Sequence, residues 1–203
     1  MNRRHMILCV LLAVGLLLGL TACHKKALAP GEVRQVNMEK TPGWVDNPEK
    51  ASTDDERAFV GVSRQRSMEQ DAKTDARRDA FKQAVEALGV FVKTRLNEVA
   101  TQADMSDDII SAGLVSDELT RIETTGITVG QVDEYAVQKF ARNVDGETRY
   151  YYTVYCRYMV PRDFSQQVMQ DILQKQRQQT EDDHERQLLD RAMQKLNEMD
   201  NNF

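Results

Sequence analysis

Residues 58–63 read Ala58-Phe59-Val60-Gly61-Val62-Ser63, and the chain then places a small or apolar residue at every fourth position: Ala72, Ala76, Ala80, Ala84, Leu88, Val92 and Leu96. The first segment is short and apolar, which predicts a largely buried strand. Gly61 in its interior predicts a bulge or a close approach by another backbone. The fourfold spacing keeps its residues on one slowly drifting face of a long helix, with Val85 and Val99 beside it. The alanines come first and the larger residues later, so the first half of the helix can lie close on a sheet. Lys73, Asp75, Arg77, Arg78, Asp79 and Lys82 take the opposite, solvated face. Ser67 and Gln70 have capping-box spacing at the helix start.

Downstream, a polar connector at 101–105 leads to a second helical stretch. Ser106 is its expected N-cap, and it carries Ile109, Ile110, Leu114, Val115, Leu119 and Ile122. Gly113 predicts a break or short loop there. The period then changes to two. Ile127, Val129, Tyr135 and Val137 share one parity; Tyr152, Val154, Cys156, Tyr158 and Val160 share the other. Asn143-Val144-Asp145-Gly146 between them signals a hairpin. A two-residue Asp-Gly turn sets Arg142 opposite Arg149, whereas a four-residue loop sets Arg142 opposite Glu147. Cross-strand charge favours the second. Either way Tyr135 and Val137 share a face with Val154 and Cys156.

Pro161 closes the sheet, and Asp163 caps a helix carrying Phe164, Val168, Ile172 and Leu173. Residues 174–187 are almost wholly polar before Leu188, Leu189, Ala192, Met193, Leu196 and Met199 restore an apolar stripe. That order predicts one long helix or two, reaching away from the core, with the terminal stripe free to pair with another copy or a partner. The alternative is a helix folding back on its own domain. The expected fold class is α+β: a small antiparallel sheet of about three strands packed by helices, with a long C-terminal helical extension.

Upstream, Pro42-Gly43-Trp44-Val45 holds the sole tryptophan between prolines. Trp44 is expected to pack against the domain edge, with carbohydrate stacking as the alternative. Residues 24–43 have little apolar periodicity and read as a tether. Before them, Arg3 and Arg4 precede an uncharged stretch from Met6 to Leu20, which ends in Leu20-Thr21-Ala22-Cys23. The length suits a signal-peptide core and is short for a membrane span. Leu-x-Ala-Cys resembles the bacterial lipobox. The resemblance implies cleavage between Ala22 and Cys23 and acylation of the Cys23 thiol. An uncleaved anchor is the alternative. Because His24, not Asp, follows Cys23, the resemblance implies the outer membrane, facing the periplasm. The expected organisation is signal peptide 1–22, lipidated tether 23–43, an α+β domain 44–173 and a polar helical extension 174–203.

Losing Arg3 and Arg4 takes the formal charge from −5 to −7. An acidic chain argues against nucleic acid and against a polybasic grip on anionic lipid, so attachment falls to the acyl group. Cys9 leaves with the leader and Cys23 is consumed by lipid. Cys156 is left as a buried strand residue or, alternatively, a dimer-forming thiol.

A catalytic set is not evident. His24 lies on the tether and His184 in a polar helix, and the ten glycines are scattered without forming a phosphate loop. Acidic runs occur at Asp54-Asp55-Glu56, Asp107-Asp108 and Glu181-Asp182-Asp183-His184-Glu185. Glu181, Glu185 and His184 could hold a divalent ion, but a solvated charge run is the stronger reading. No metal, cofactor or catalytic residue is expected.

Trp44-Val45, Phe59 to Ser63 and the series Ala72, Ala76, Ala80, Ala84, Leu88 together resemble the Lpp-twenty type of small outer-membrane lipoprotein. The resemblance covers about half of the mature chain. It implies an antiparallel sheet packed by helices, no catalytic residues, and a structural or interaction role in the envelope, in some members around the flagellum. The expected partners are the membrane through the N-terminal lipid, and other proteins or further copies. The expected interaction surface combines Trp44, Tyr151, Tyr155, Leu189, Met193 and Leu196 with an exposed sheet edge. Envelope ligand binding, to peptidoglycan or lipid, is the competing reading, motivated by Trp44 and the outward tyrosines.

Overall fold

Alternation of apolar and polar residues gives strands, and the four-residue repeat gives a helix that covers one face of them. The computed structural model describes residues 28–37, 40–105, 110–125 and 129–199. The elements are β1 (Val33–Gln35), α1 (Gly43–Asp46), β2 (Glu56–Val62), α2 (Glu69–Gln102), α3 (Ala112–Thr125), β3 (Gln131–Val144), β4 (Glu147–Pro161), α4 (Phe164–Gln179) and α5 (Asp183–Glu198). A short 3-10 turn, Pro48–Ala51, follows α1. The sheet is antiparallel with strand order β1-β3-β4-β2, so the fold is mixed α+β. The expected signal peptide 1–22, Cys23, Ser106 and Ile127 lie outside the described residues.

The chain divides into two units, one holding residues up to Arg34 with Ala141–Arg149, the other Gln35–Phe140 with Tyr150–Phe203. In the first, the turn is the two-residue Asp145-Gly146, with φ of 55° and 85°. That is the primed geometry matching strand twist. The register preferred on charge is therefore corrected: Arg142 stands opposite Arg149. Both arginines are exposed, so water screens their repulsion and the turn residues decide. Asn143 finishes the unit. Its Oδ1 accepts from Gly146 N at 3.0 Å, and its Nδ2 donates to Leu28 O at 2.7 Å.

In the larger unit the decisive contact lies between β2 and α2. Gly61 pairs with Cys156 in the β2–β4 register. A Cβ on Gly61 would stand 2.1 Å from Ala76 O and 2.2 Å from Ala80 N, so helix backbone and strand backbone meet directly. Ala72, Ala76, Ala80 and Ala84 are all 0% exposed. Farther along, Leu88, Val92, Leu96 and Val99 replace the alanines, and α3, α4 and α5 pack there instead of the sheet. Larger side chains suit the wider spacing of helix pairs. Helix α2 starts at Glu69 with Met68 at its N-cap and no side-chain capping bond, which corrects the Ser67–Gln70 box. Arg66 is held in a bridge with Tyr152, so Ser67 falls one residue short of the cap. Asp163 does occupy the N-cap of α4, but its side chain makes no capping bond. Gly113 sits in the first turn of α3 rather than at a break.

Two further expectations are corrected. Part of the tether is structured: β1 joins the sheet, and Asn37 Oδ1 accepts from Lys139 N at 2.8 Å while its Nδ2 donates to Val137 O. The sheet therefore has four strands, not about three. The C-terminal extension does not reach away. Helix α4 runs through the expected boundary at 173, reverses at Thr180–Asp182, and α5 packs back on α4 and α2. Leu189 and Leu196 are 0% exposed, so neither forms an interaction surface, while Met193 packs part-buried against the core. The polar run is used up by the reversal. Asp182 accepts from His184 N and Glu185 N at 2.7 and 3.0 Å, Thr180 Oγ1 donates to Glu185 Oε2 at 2.6 Å, and Arg177 pairs with Asp190 across the hairpin at 2.5 Å.

Gly61→Ala should lower the unfolding free energy by about 3 kcal/mol or more, because two backbones would have to separate. Gly43→Ala, where a Cβ meets nothing within 4 Å, should stay within about 0.5 kcal/mol of the parent. Urea unfolding of both variants checks this. Equal midpoints would remove the contact from its central place.

Candidate functional site

The buried chemistry-bearing groups Cys156, Tyr158 and Glu118 are each engaged or shielded. Cys156 is 0% exposed, and burial pushes its thiol up to about 11, so the nucleophilic thiolate is suppressed. The Tyr158 hydroxyl donates to Gly130 O at 2.8 Å and accepts from Gly130 N at 3.1 Å, clamping the start of β3. Glu118 is 3% exposed, yet it holds both Arg121, at 3.0 and 3.1 Å from Nε, and Lys175 of α4. The Arg121 hydrogen bonds outweigh desolvation, and with Lys175 they hold the Glu118 carboxyl below the usual range. Such a carboxylate ties α3 to α4 and is a poor proton donor near neutrality. Asp182 and Glu185 are engaged at the α5 cap, and His184 is exposed beside them. Among the described residues no group of three or more His, Cys, Asp or Glu could hold a metal ion, and no helix is long and apolar enough to cross a membrane.

The remaining distinctive feature is the sheet face turned away from α2. Strand alternation puts Phe59, Gly61, Cys156 and Tyr158 against the helix and their neighbours outward. The middle outward positions are Val60 and Val62 on β2, Ala136, Gln138 and Phe140 on β3, and Tyr151, Thr153 and Tyr155 on β4, all uncharged. The same alternation puts Glu134 and Arg157 outward at one end of these strands, and Arg142, Glu147 and Arg149 farther along them. Val62 is 47% exposed, and Tyr151 and Tyr155 are half-buried by their neighbours. The structure thus brings two expected surface residues, Tyr151 and Tyr155, onto one face and adds Phe140, Val60 and Val62 to it. Their place on this face follows from the strand register, which the residue pattern alone does not fix.

One end of this face is closed. Trp44 on α1 is 8% exposed, with its Nε1 donating to Glu134 Oε2 at 3.1 Å. Arg157 lies 5.3 Å above the indole ring and pairs with Asp133 and Glu134 at 2.5 and 3.0 Å. Ala58 and Met159, paired in register on this same side, are 3% and 5% exposed. Trp44 is therefore a small second core at the edge, as its packing reading expected, and it leaves the interaction surface. Guanidinium already occupies a ring face that a sugar would need.

The β2 edge is also closed to strand pairing. Ala58 N donates to Ser52 Oγ at 3.0 Å and Val62 N to Asp79 Oδ2 at 2.9 Å, while Glu56 N reaches Thr53 Oγ1 at 3.0 Å. Side chains thus take three of the outward N–H groups that a partner strand would use. The expectation of an exposed edge as contact surface is corrected for β2. Next to it, a bulge shifts the register by one. Val62 faces Tyr155 but Arg66 faces Tyr152, and Ser63 Oγ accepts from Val154 N at 2.8 Å in the gap.

Glu118→Gln should cost about 2 kcal/mol at neutral pH, since charge-assisted bonds become neutral ones. Because the native carboxyl titrates lower than the unfolded one, its stabilisation is complete above about pH 4.3 and fades as pH falls through the lowered native value. Urea midpoints measured from about pH 7 to about pH 3 should therefore converge for parent and variant. A gap that persists unchanged in acid would contradict the ion-pair account.

Comparison of the chain with family models, characterised proteins and solved structures gave no match.

Proposed function

We propose that this chain is a non-enzymatic, lipid-anchored lipoprotein of the outer membrane, and that it works as a docking module of the cell envelope. The observation that carries the docking role is the uncharged patch of Val62, Phe140, Tyr151 and Tyr155 in the middle of the outward sheet face. The anchor rests on Leu20-Thr21-Ala22-Cys23. Ten residues separate Cys23 from Val33, where the sheet begins, so the chain between them spans at most about 35 Å. The domain therefore works close to its membrane. Confinement to a surface raises the effective concentration of the docking face for neighbouring proteins. Groups already engaged by ion pairs, caps and burial support a role without catalysis.

A second reading follows from Tyr151 and Tyr155 alone. Two tyrosines on one uncharged patch also suit stacking against a glycan, with peptidoglycan as the envelope ligand.

Cys23→Ala should abolish fatty-acid labelling and remove the protein from the outer-membrane fraction while leaving the thermal midpoint of the folded domain unchanged. Retention of the variant in the outer membrane would overturn the anchor. Incubation of the soluble domain with isolated sacculi separates the two readings. Docking to protein predicts no retention, whereas glycan binding predicts retention that Tyr151→Ser with Tyr155→Ser removes.

A further inference from the structure

Helix α2 has one stretch where its fourfold burial pattern meets an apolar residue on the wrong side. Val90 is 69% exposed, more than any other large apolar side chain among the described residues. Beside it α2 and α3 leave a cleft of about 480 Å³, floored by Val85, Gly89 and Leu119. Gly89 contributes no side chain, and Leu119 comes to 3.0 Å of where its Cβ would be. The charges around Val90 are ordered. Glu86 stands four residues before it and Lys93 three after, both exposed on neighbouring rows of the helix. Glu86 has only a long contact with Lys82, 3.6 Å between two side chains each 65% exposed. Among the described residues Lys93 has no carboxylate within ion-pair distance.

We infer that this surface is self-complementary and that two copies of the chain pair antiparallel along α2 about a two-fold axis at Val90. Reversal about Val90 brings each Glu86 beside Lys93 of the second copy, within one residue's rise of about 1.5 Å. Two identical ion pairs then flank two apposed valines, as an isologous interface requires. A parallel arrangement is disfavoured, because it sets Glu86 against Glu86 and Lys93 against Lys93. The apolar area is small, so the dimer is weak in dilute solution, and confinement on a membrane would favour it. The pairing does not depend on lipidation: a soluble chain carries the same helix surface.

The test uses full-length mature chain with Cys23→Ser. Cys156 is buried and does not compete for oxidation. Val90→Cys should form a disulfide-linked dimer under mild oxidation, because the axis brings the two Cβ atoms together. Val62→Cys, exposed on the sheet face, should not. In the Val90→Cys background, Glu86→Lys or Lys93→Glu alone should cut the rate of dimer formation about tenfold, since two attractive pairs become repulsive. The double reversal should restore it. Sedimentation of the parent chain at rising concentration should show the same dimer without any cysteine at residue 90. Val90→Cys that links no faster than Val62→Cys, or charge reversals with no effect, would overturn the pairing while leaving the lipid anchor untouched.

Discussion

The contact between Gly61 and the backbone of α2 at Ala76 and Ala80 is the constraint on which the other features rest. A hydrogen in place of a side chain on the strand, and methyl groups along the helix, let the two backbones approach within van der Waals distance. That closeness commits one sheet face to the helix. It also explains why Cys156, which faces Gly61, is wholly buried, and why its thiol stays protonated. Where the sheet ends, α2 continues for several turns beyond it. Leu88, Val92, Leu96 and Val99 there gather α3, α4 and α5 into a helical core.

The same commitment defines what is left outside. With one face under α2, the other must be covered, solvated or used. At one end the Trp44–Arg157–Glu134 cluster covers it. The middle of the face, from Val60 and Val62 to Phe140 and Tyr151, carries no charge. Ser52, Thr53 and Asp79 meanwhile blunt the β2 edge against pairing with a further strand. The pleat thus divides each strand: alternate positions of one strand meet α2 and the others face away from it.

Much of this was legible in residues whose signal is local. The alanine spacing, Gly61 and the strand parity needed only the pattern of their own segments. The hairpin turn was not legible in this way, because the cross-strand charge pair points to one register and the positive φ of Asp145 and Gly146 decides the other. Three exposed residues, Val33, Arg34 and Gln35, carry no amphipathic signal. They form a strand because β3 offers an edge, which lies more than a hundred residues away. The fold-back of α5 was hidden for a similar reason. A polar run reads as solvent-exposed helix unless the reversal at Thr180, and the ion pair from Arg177 to Asp190, are known to consume it. On the working face, Tyr151 and Tyr155 were visible as aromatics, whereas Val60, Val62 and Phe140 joined them only once the register was fixed.

The claim at the centre is that the uncharged patch around Tyr151 and Tyr155 is occupied in the envelope. Hydroxyl-radical footprinting compares the tyrosines in intact cells and in the purified domain. Tyr150 points to the opposite side and is 48% exposed, which makes it the internal reference. The account predicts that Tyr151 and Tyr155 are modified in the purified domain and protected in cells, while Tyr150 is modified in both. Equal modification of Tyr151 and Tyr155 in the two settings would contradict it.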